Sequence, residues 1–191
     1  YFSGKIDNPS KTEDLIDELT AIATELKWKY DYYEFEKEDN KPHVKGITMH
    51  PHEKSESMAF AFTPEGRLIS PVSLHLDFKE EEFIYTEAIK TQFAPLEIHI
   101  AVIKLLKYLK SKYISNLRVI DEGDYWNTMD VNILKEKMDF LASKINLLGD
   151  ILDAQSENLG KAKTPEELAD EIEKILGKLG FSSEDSETKE T

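Results

Sequence analysis

The 191-residue chain has no cysteine, only 8 glycines and 7 prolines, and far fewer basic than acidic side chains. Without cysteine there are no disulfides, no thiolate nucleophile and no cysteine-ligated zinc or iron–sulfur cluster. Scarce glycine leaves little material for phosphate-cradling loops. Neither G-x-G-x-x-G nor G-x-x-x-x-G-K-[ST] occurs, which disfavours dinucleotide and nucleoside-triphosphate chemistry, and H-E-x-x-H is also missing. No apolar run approaches the roughly 18–20 residues needed to span a bilayer, and no signal-peptide pattern opens the sequence. The expected setting is therefore the cytosol, away from membranes.

Positive charge is the other shortage. Lys and Arg number 24 against 38 Asp and Glu, a formal net charge of −14. That balance disfavours nucleic acid as a partner, because binding phosphate backbones needs clustered Lys and Arg. A local group such as Lys104, Lys107, Lys110 and Lys112 runs against the average. The deficit is uneven: residues 1–127 carry a net −7, and residues 128–191 carry another −7 in half as many positions.

What is present reads as an α+β protein. A helix is predicted over residues 11–27, with Ser10 and Glu13 at capping-box spacing and Leu15, Ile16, Leu19, Ile22, Ala23 and Leu26 on one stripe. From Trp28 the period becomes two. Trp28, Tyr30 and Tyr32 alternate with polar residues, and Tyr33 and Phe35 then shift the pattern by one, as a bulge would. Val44–Met49, Met58–Phe62 and Val72–Phe78 read as further strands, with a turn at Thr63-Pro64-Glu65-Gly66. Residues 95–113 form an apolar helix suited to the centre of the sheet, and Leu117–Ile120 is a short strand candidate. The expected domain, residues 1–129, is an antiparallel meander of about four to five strands with helices packed on one face.

The C-terminal third has a different pattern. Leu134, Met138, Leu141, Ile145, Leu148, Leu152, Gln155 and Leu159 follow the 4–3 spacing of a heptad seam. Thr164-Pro165-Glu166-Glu167 has the form of a second helix start, after which Leu168, Ile172, Ile175 and Leu179 repeat that spacing. Residues 130–180 are thus expected to form an αα-hairpin, packed on the domain or projecting from it. Residues 181–191 read as a disordered acidic tail.

Candidate chemistry rests mainly on five histidines. His50-Pro51-His52 with a carboxylate such as Glu53 or Asp77 offers a divalent-metal site, although Pro51 interrupts the strand and no third ligand is fixed by spacing. Ser73, His75 and Asp77 would share one strand face, but same-strand neighbours stand roughly 6–7 Å apart, too far for a hydrogen-bonded triad. No G-x-S-x-G elbow exists. His99 shares a helix face with Val102, Ile103 and Leu106, so a buried imidazole with a backbone or carboxylate partner is expected. His75, Glu97, His99 and Trp126 are the candidate pocket residues. The acidic loop Asp121–Trp126 lacks calcium-loop spacing, and Asn127 and Asp130 suit the cap of the following helix.

The functional expectation is a non-enzymatic association module without a cofactor. It would act through seam residues Ile145, Leu148, Leu152, Ile172 and Ile175 on a second copy or a protein partner. The alternative is a small metal-dependent hydrolase that uses His50 and His52.

Overall fold

Tight local turns and two antiparallel sheets organise the first part of the chain. The computed structural model describes residues 1–36, 41–75 and 82–154, and beyond them 164, 165, 167, 169, 170, 173 and 174. Strand β1 (Phe2–Ser3) pairs antiparallel with β5 (Arg118–Val119), tying together segments far apart in sequence. Helix α1 (Thr12–Glu25) buries the predicted stripe through Leu15, Ile16, Leu19 and Ala23. Its entry differs from the expected Ser10–Glu13 box. Asn8 Oδ1 accepts the Ser10 N–H at 3.1 Å and the Ser10 hydroxyl at 2.9 Å, so the cap belongs to the preceding 3₁₀ turn. Lys27, with φ of 57°, takes the left-handed conformation that ends the helix.

Strands β2 (Lys29–Phe35), β3 (Val44–His50) and β4 (Met58–Phe62) form a meander in the order β2-β3-β4. The register runs without interruption from Lys29 opposite His50 to Phe35 opposite Val44, so the bulge expected at Tyr32–Tyr33 is not formed. The shift in apolar pattern has another cause: both faces of the sheet are covered. Tyr30 packs against one core cluster, while Tyr33 and Phe35 pack against the other. Gly46 is required where β3 meets β4, because a Cβ there would fall 1.9 Å from the Phe60 carbonyl oxygen. The predicted turn after β4 is present. Gly66 adopts φ of 80° and donates its N–H to the Thr63 carbonyl at 2.8 Å.

The strand expected at Val72–Phe78 is replaced at its start by a helical turn, α2 (Val72–His75). Ser73 and Leu74 donate their N–H groups to the carbonyls of Ser70 and Pro71, each at 3.0 Å. Proline's preset φ starts this turn and overrides the apolar alternation that suggested a strand. Leu76, Asp77 and Phe78 lie outside the described residues. The expected larger meander is therefore a three-stranded sheet and a separate two-stranded one.

Helix α3 (Leu96–Lys112) and α1 bury Leu105, Leu106, Leu15 and Leu19 in one cluster with Ile47, Met49, Met58 and Phe60 of the sheet. The opposite face is covered too: Val44 and Ala61 pack with Ile69, Leu74 and Phe83. The short α4 (Tyr125–Thr128) ends at Met129, whose φ is 53°, and Asp130 Oδ1 then caps α5 (Val131–Ala154) by accepting the Asn132 N–H at 2.8 Å. Leu134, in the first turn of α5, is fully buried with Ile103 and Tyr125.

The chain divides into two compact units, Tyr1–Met138 and Asp139–Thr191. Helix α5 supplies the first arm of the expected hairpin. The turn, most of the second arm and the acidic tail lie outside the described residues. Among the described residues no helix is long and apolar enough to cross a membrane.

Candidate functional site

Past Met138, helix α5 changes from a packing element to an exposed one. Phe140 is 64% exposed, and Leu141, Ile145 and Leu147 are exposed beside it on the helix. Isolated exposed apolar side chains are ordinary, but four within two turns of one helix make an apolar band around about half its circumference. Leu141 and Ile145 occupy consecutive seam positions, whereas Phe140 and Leu147, seven residues apart, lie off the seam on the outer side of the helix. Of the five predicted contact residues, Ile145 is exposed. The side chains of Leu148 and Leu152, and residues Ile172 and Ile175, lie outside the described set.

The histidines separate into independent groups. Among the described residues, no group of three or more His, Asp or Glu is placed to hold a metal ion. His52 Nδ1 accepts the Lys54 N–H at 3.0 Å. His50 is engaged at both ring nitrogens: Nε2 lies 3.1 Å from Asp31 Oδ2, and Nδ1 lies 2.6 Å from Ser57 Oγ. The sheet brings these three together. Asp31 is on β2, His50 ends β3, and Ser57 immediately precedes β4, next after the Met49–Met58 pair and so across from His50. An ionised carboxylate can only accept, so the contact with Asp31 places the ring proton on Nε2. Nδ1 is then the acceptor for the Ser57 hydroxyl.

A second hydroxyl–imidazole–carboxylate line crosses the other side of the domain. Thr91 Oγ1 lies 2.8 Å from His99 Nδ1, and Asp121 Oδ1 lies 3.2 Å from His99 Nε2. That second contact is close but poorly directed, leaving Nε2 without a formed hydrogen bond among the described residues. Asp121 also accepts the N–H groups of Gly123 at 2.9 Å and Trp126 at 2.8 Å. Burial pushes the Asp121 carboxyl up, but His99 and these N–H donors outweigh it and hold the group below its ordinary range. The line is sealed: the side chains of His99 and Asp121 are 14% and 2% exposed, and Thr91 is buried. Its evident role is to join the loop before α3, α3 itself and the loop after β5.

The four candidate pocket residues do not form one set. His99 and Trp126 share Asp121 as a partner, while Glu97 is exposed in the first turn of α3. His75 belongs to a separate group, 3.4 Å from the Tyr33 hydroxyl and edge-on to Tyr33 and Phe35. Ser73, considered and set aside as part of a triad with His75 and Asp77, accepts the Ile84 N–H at 2.7 Å and stands on α2, so the shared strand face expected for these residues is not formed at Ser73 and His75.

The local lysine group is also largely committed. Lys112 pairs with Glu18 at 2.6 Å, Lys110 donates to the Leu117 carbonyl at 2.6 Å, and the Lys107 ammonium sits 4.6 Å above the Trp126 ring. Glu18 further accepts the hydroxyls of Tyr108 and Tyr113, clamping α1 to α3.

Sequence reasoning singled out His50 but missed Asp31 and Ser57. They are 19 and 7 positions from it, and no motif links such spacings. Only the strand register makes them neighbours. Comparison with protein-family models, with curated proteins and with solved structures finds no match for this chain.

Proposed function

We propose that the chain works by self-association, with α5 pairing against α5 of a second copy as a two-stranded coiled coil. The observation that carries this reading is the exposure of Leu141 and Ile145, consecutive seam positions of α5. What argues for a second copy is the seam itself. Met138, Ile145 and Leu152 recur at one heptad position, and Leu141 and Leu148 at the other. A β-branched residue at the first with leucine at the second favours two parallel strands. Ile145 is the β-branched residue of the three. The 24-residue helix has its start anchored by the buried Leu134, with Met138 packed beside it, and the remainder is long enough for about two heptads. The net charge of −7 over residues 128–191 would oppose close approach of two copies, so added salt should strengthen the pairing.

The test is the mass of the full chain by light scattering or sedimentation equilibrium. Twice the chain mass is expected for the native sequence. Ile145→Glu should shift the equilibrium to the monomer with residues 1–138 still folded. A native chain that stays monomeric at every concentration and at high salt overturns the proposal, as does a dimer that Ile145→Glu leaves intact.

Among the described residues nothing favours the metal-hydrolase alternative: His50 has both ring nitrogens engaged, and His52 makes a local turn contact.

A further inference from the structure

Ser57, His50 and Asp31 hold a chemistry that the self-association reading does not use. The three lie on one face of the sheet at the end of β3, and each comes from a different strand or strand entry. Ser57 stands across from His50, and Asp31, which pairs with Thr48, is the diagonal neighbour of His50 on β2, near enough for the two side chains to reach each other. The order of contacts is hydroxyl to Nδ1 at 2.6 Å, then Nε2 to carboxylate at 3.1 Å. Asp31 holds the proton on Nε2, so the free lone pair of Nδ1 faces the Ser57 hydroxyl, as a general base must. Accessibility separates this group from the Thr91–His99–Asp121 line, whose hydroxyl is buried. Here the His50 and Asp31 side chains are 38% and 80% exposed, and Ser57 is half-buried. Lys29 pairs with His50 in the register and brings an ammonium to the same face.

We infer that Ser57, His50 and Asp31 form an open serine acyl-transfer site for small, activated carboxylic esters. Ser57 Oγ bonds to the ester carbonyl carbon while its proton passes to His50 Nδ1 and the carbonyl π pair moves onto oxygen. That intermediate collapses: the bond from carbon to the leaving alcohol breaks, and His50 returns the proton to the departing oxygen. Water then attacks the acyl-serine, giving its proton to His50 Nδ1. The Ser57 ester bond breaks, Ser57 recovers the proton, and a carboxylic acid leaves. Ester and water become acid and alcohol, with no other reactant. Asp31 is the positioning residue, because it sets the tautomer and opposes the imidazolium charge.

The experiment uses the full chain with p-nitrophenyl acetate and, separately, with a fluorophosphonate probe, reading p-nitrophenol release and the mass of the Ser57 peptide. Covalent mass on Ser57 is expected, abolished in Ser57→Ala and slowed about 100-fold in His50→Gln. Asp31→Asn should slow labelling, and Asp31→Glu should restore much of it, a rescue that a merely structural role would not produce. Far-UV circular dichroism and thermal midpoints identify any variant that fails to fold, and the Asp31 pair on the exposed edge then carries the comparison. Overturning results are no adduct on Ser57, adducts only on lysine or tyrosine, or equal labelling rates in the native chain and the folded His50→Gln variant.

Discussion

Replacing Glu18 with glutamine should remove one of the stronger electrostatic contacts in the first unit, and the effect should depend on pH. Glu18 projects from α1 and accepts from Lys112, Tyr108 and Tyr113, three side chains at the end of α3. Desolvation pushes its carboxyl up, but the three donors and the Lys112 charge prevail and bring its pKa from 4.5 down to about 2. At about 1.4 kcal/mol per tenfold change in proton affinity, this bounds the stabilisation at ~3 kcal/mol. The side chain is 25% exposed, so solvent screens part of that. A contribution of ~1 kcal/mol is the reasoned figure for a partly exposed, charge-assisted cluster. The carboxyl is lowered in the folded state, so its stabilisation is full above the unfolded value near 4.5. It fades as pH falls through the folded value of about 2. Urea unfolding of native and Glu18→Gln chains across that range is the assay. The native chain should be more stable by ~1 kcal/mol at neutral pH, with the gap closing in acid. A gap that stays constant with pH, or no gap at neutral pH, refutes the reasoning.

Two further substitutions probe buried polar positions. In Gly123→Ala the new Cβ would lie 2.6 Å from Leu134 Cδ1 and 3.1 Å from both Asp121 Oδ1 and His99 Nε2. Leu134 is fully buried and has little room to yield, so a loss of about 1–3 kcal/mol is expected in urea unfolding. Glu87 has the opposite sign to Glu18. Burial raises its pKa despite hydrogen bonds to Ser70 and to the backbone of Ala59 and Ala88, and its Oε2 finds no partner among the described residues. The ionised form is thus penalised in the folded state, and the penalty appears as pH rises above the unfolded value of 4.5. Glu87→Gln exchanges one unpartnered atom for another but removes the buried charge. It should stabilise the protein at neutral pH by about 1 kcal/mol, an advantage that disappears in acid. A calorimetric comparison at the two pH values checks both the sign and the trend.

Much of the fold was legible because it is decided locally. The stripe of α1, the apolar α3, the Thr63–Gly66 turn and the Asp130 cap each depend on residues within a few positions of one another. Hydrogen bonds inside a helix or turn span three or four residues, so the pattern carries the element. Reading failed where a local rule met a competing neighbour or a second buried face. Val72–His75 alternates like a strand, yet Pro71 starts a helical turn. Tyr33 and Phe35 looked out of phase only because one covered face had been assumed where there are two.

The candidate chemistry lies at the far end of that range. Composition alone excluded cysteine chemistry, and motif searching left phosphate loops without support. Spacing along a strand set aside Ser73, His75 and Asp77, but Ser73 and His75 stand on a helical turn and Asp77 lies outside the described residues. Geometry across strands brings Asp31, His50 and Ser57 into contact, and packing joins Thr91, His99 and Asp121 across two loops and a helix. Those groupings depend on strand register and on how α3 packs, quantities set by the burial of Ile47, Phe60 and Leu106 together. No pattern within one segment contains them. The sequence by itself determined α1 and α3, the Thr63–Gly66 turn and the heptad pattern of α5, through short-range periodicity. Which hydroxyl meets which imidazole was decided only when the sheet aligned its strands.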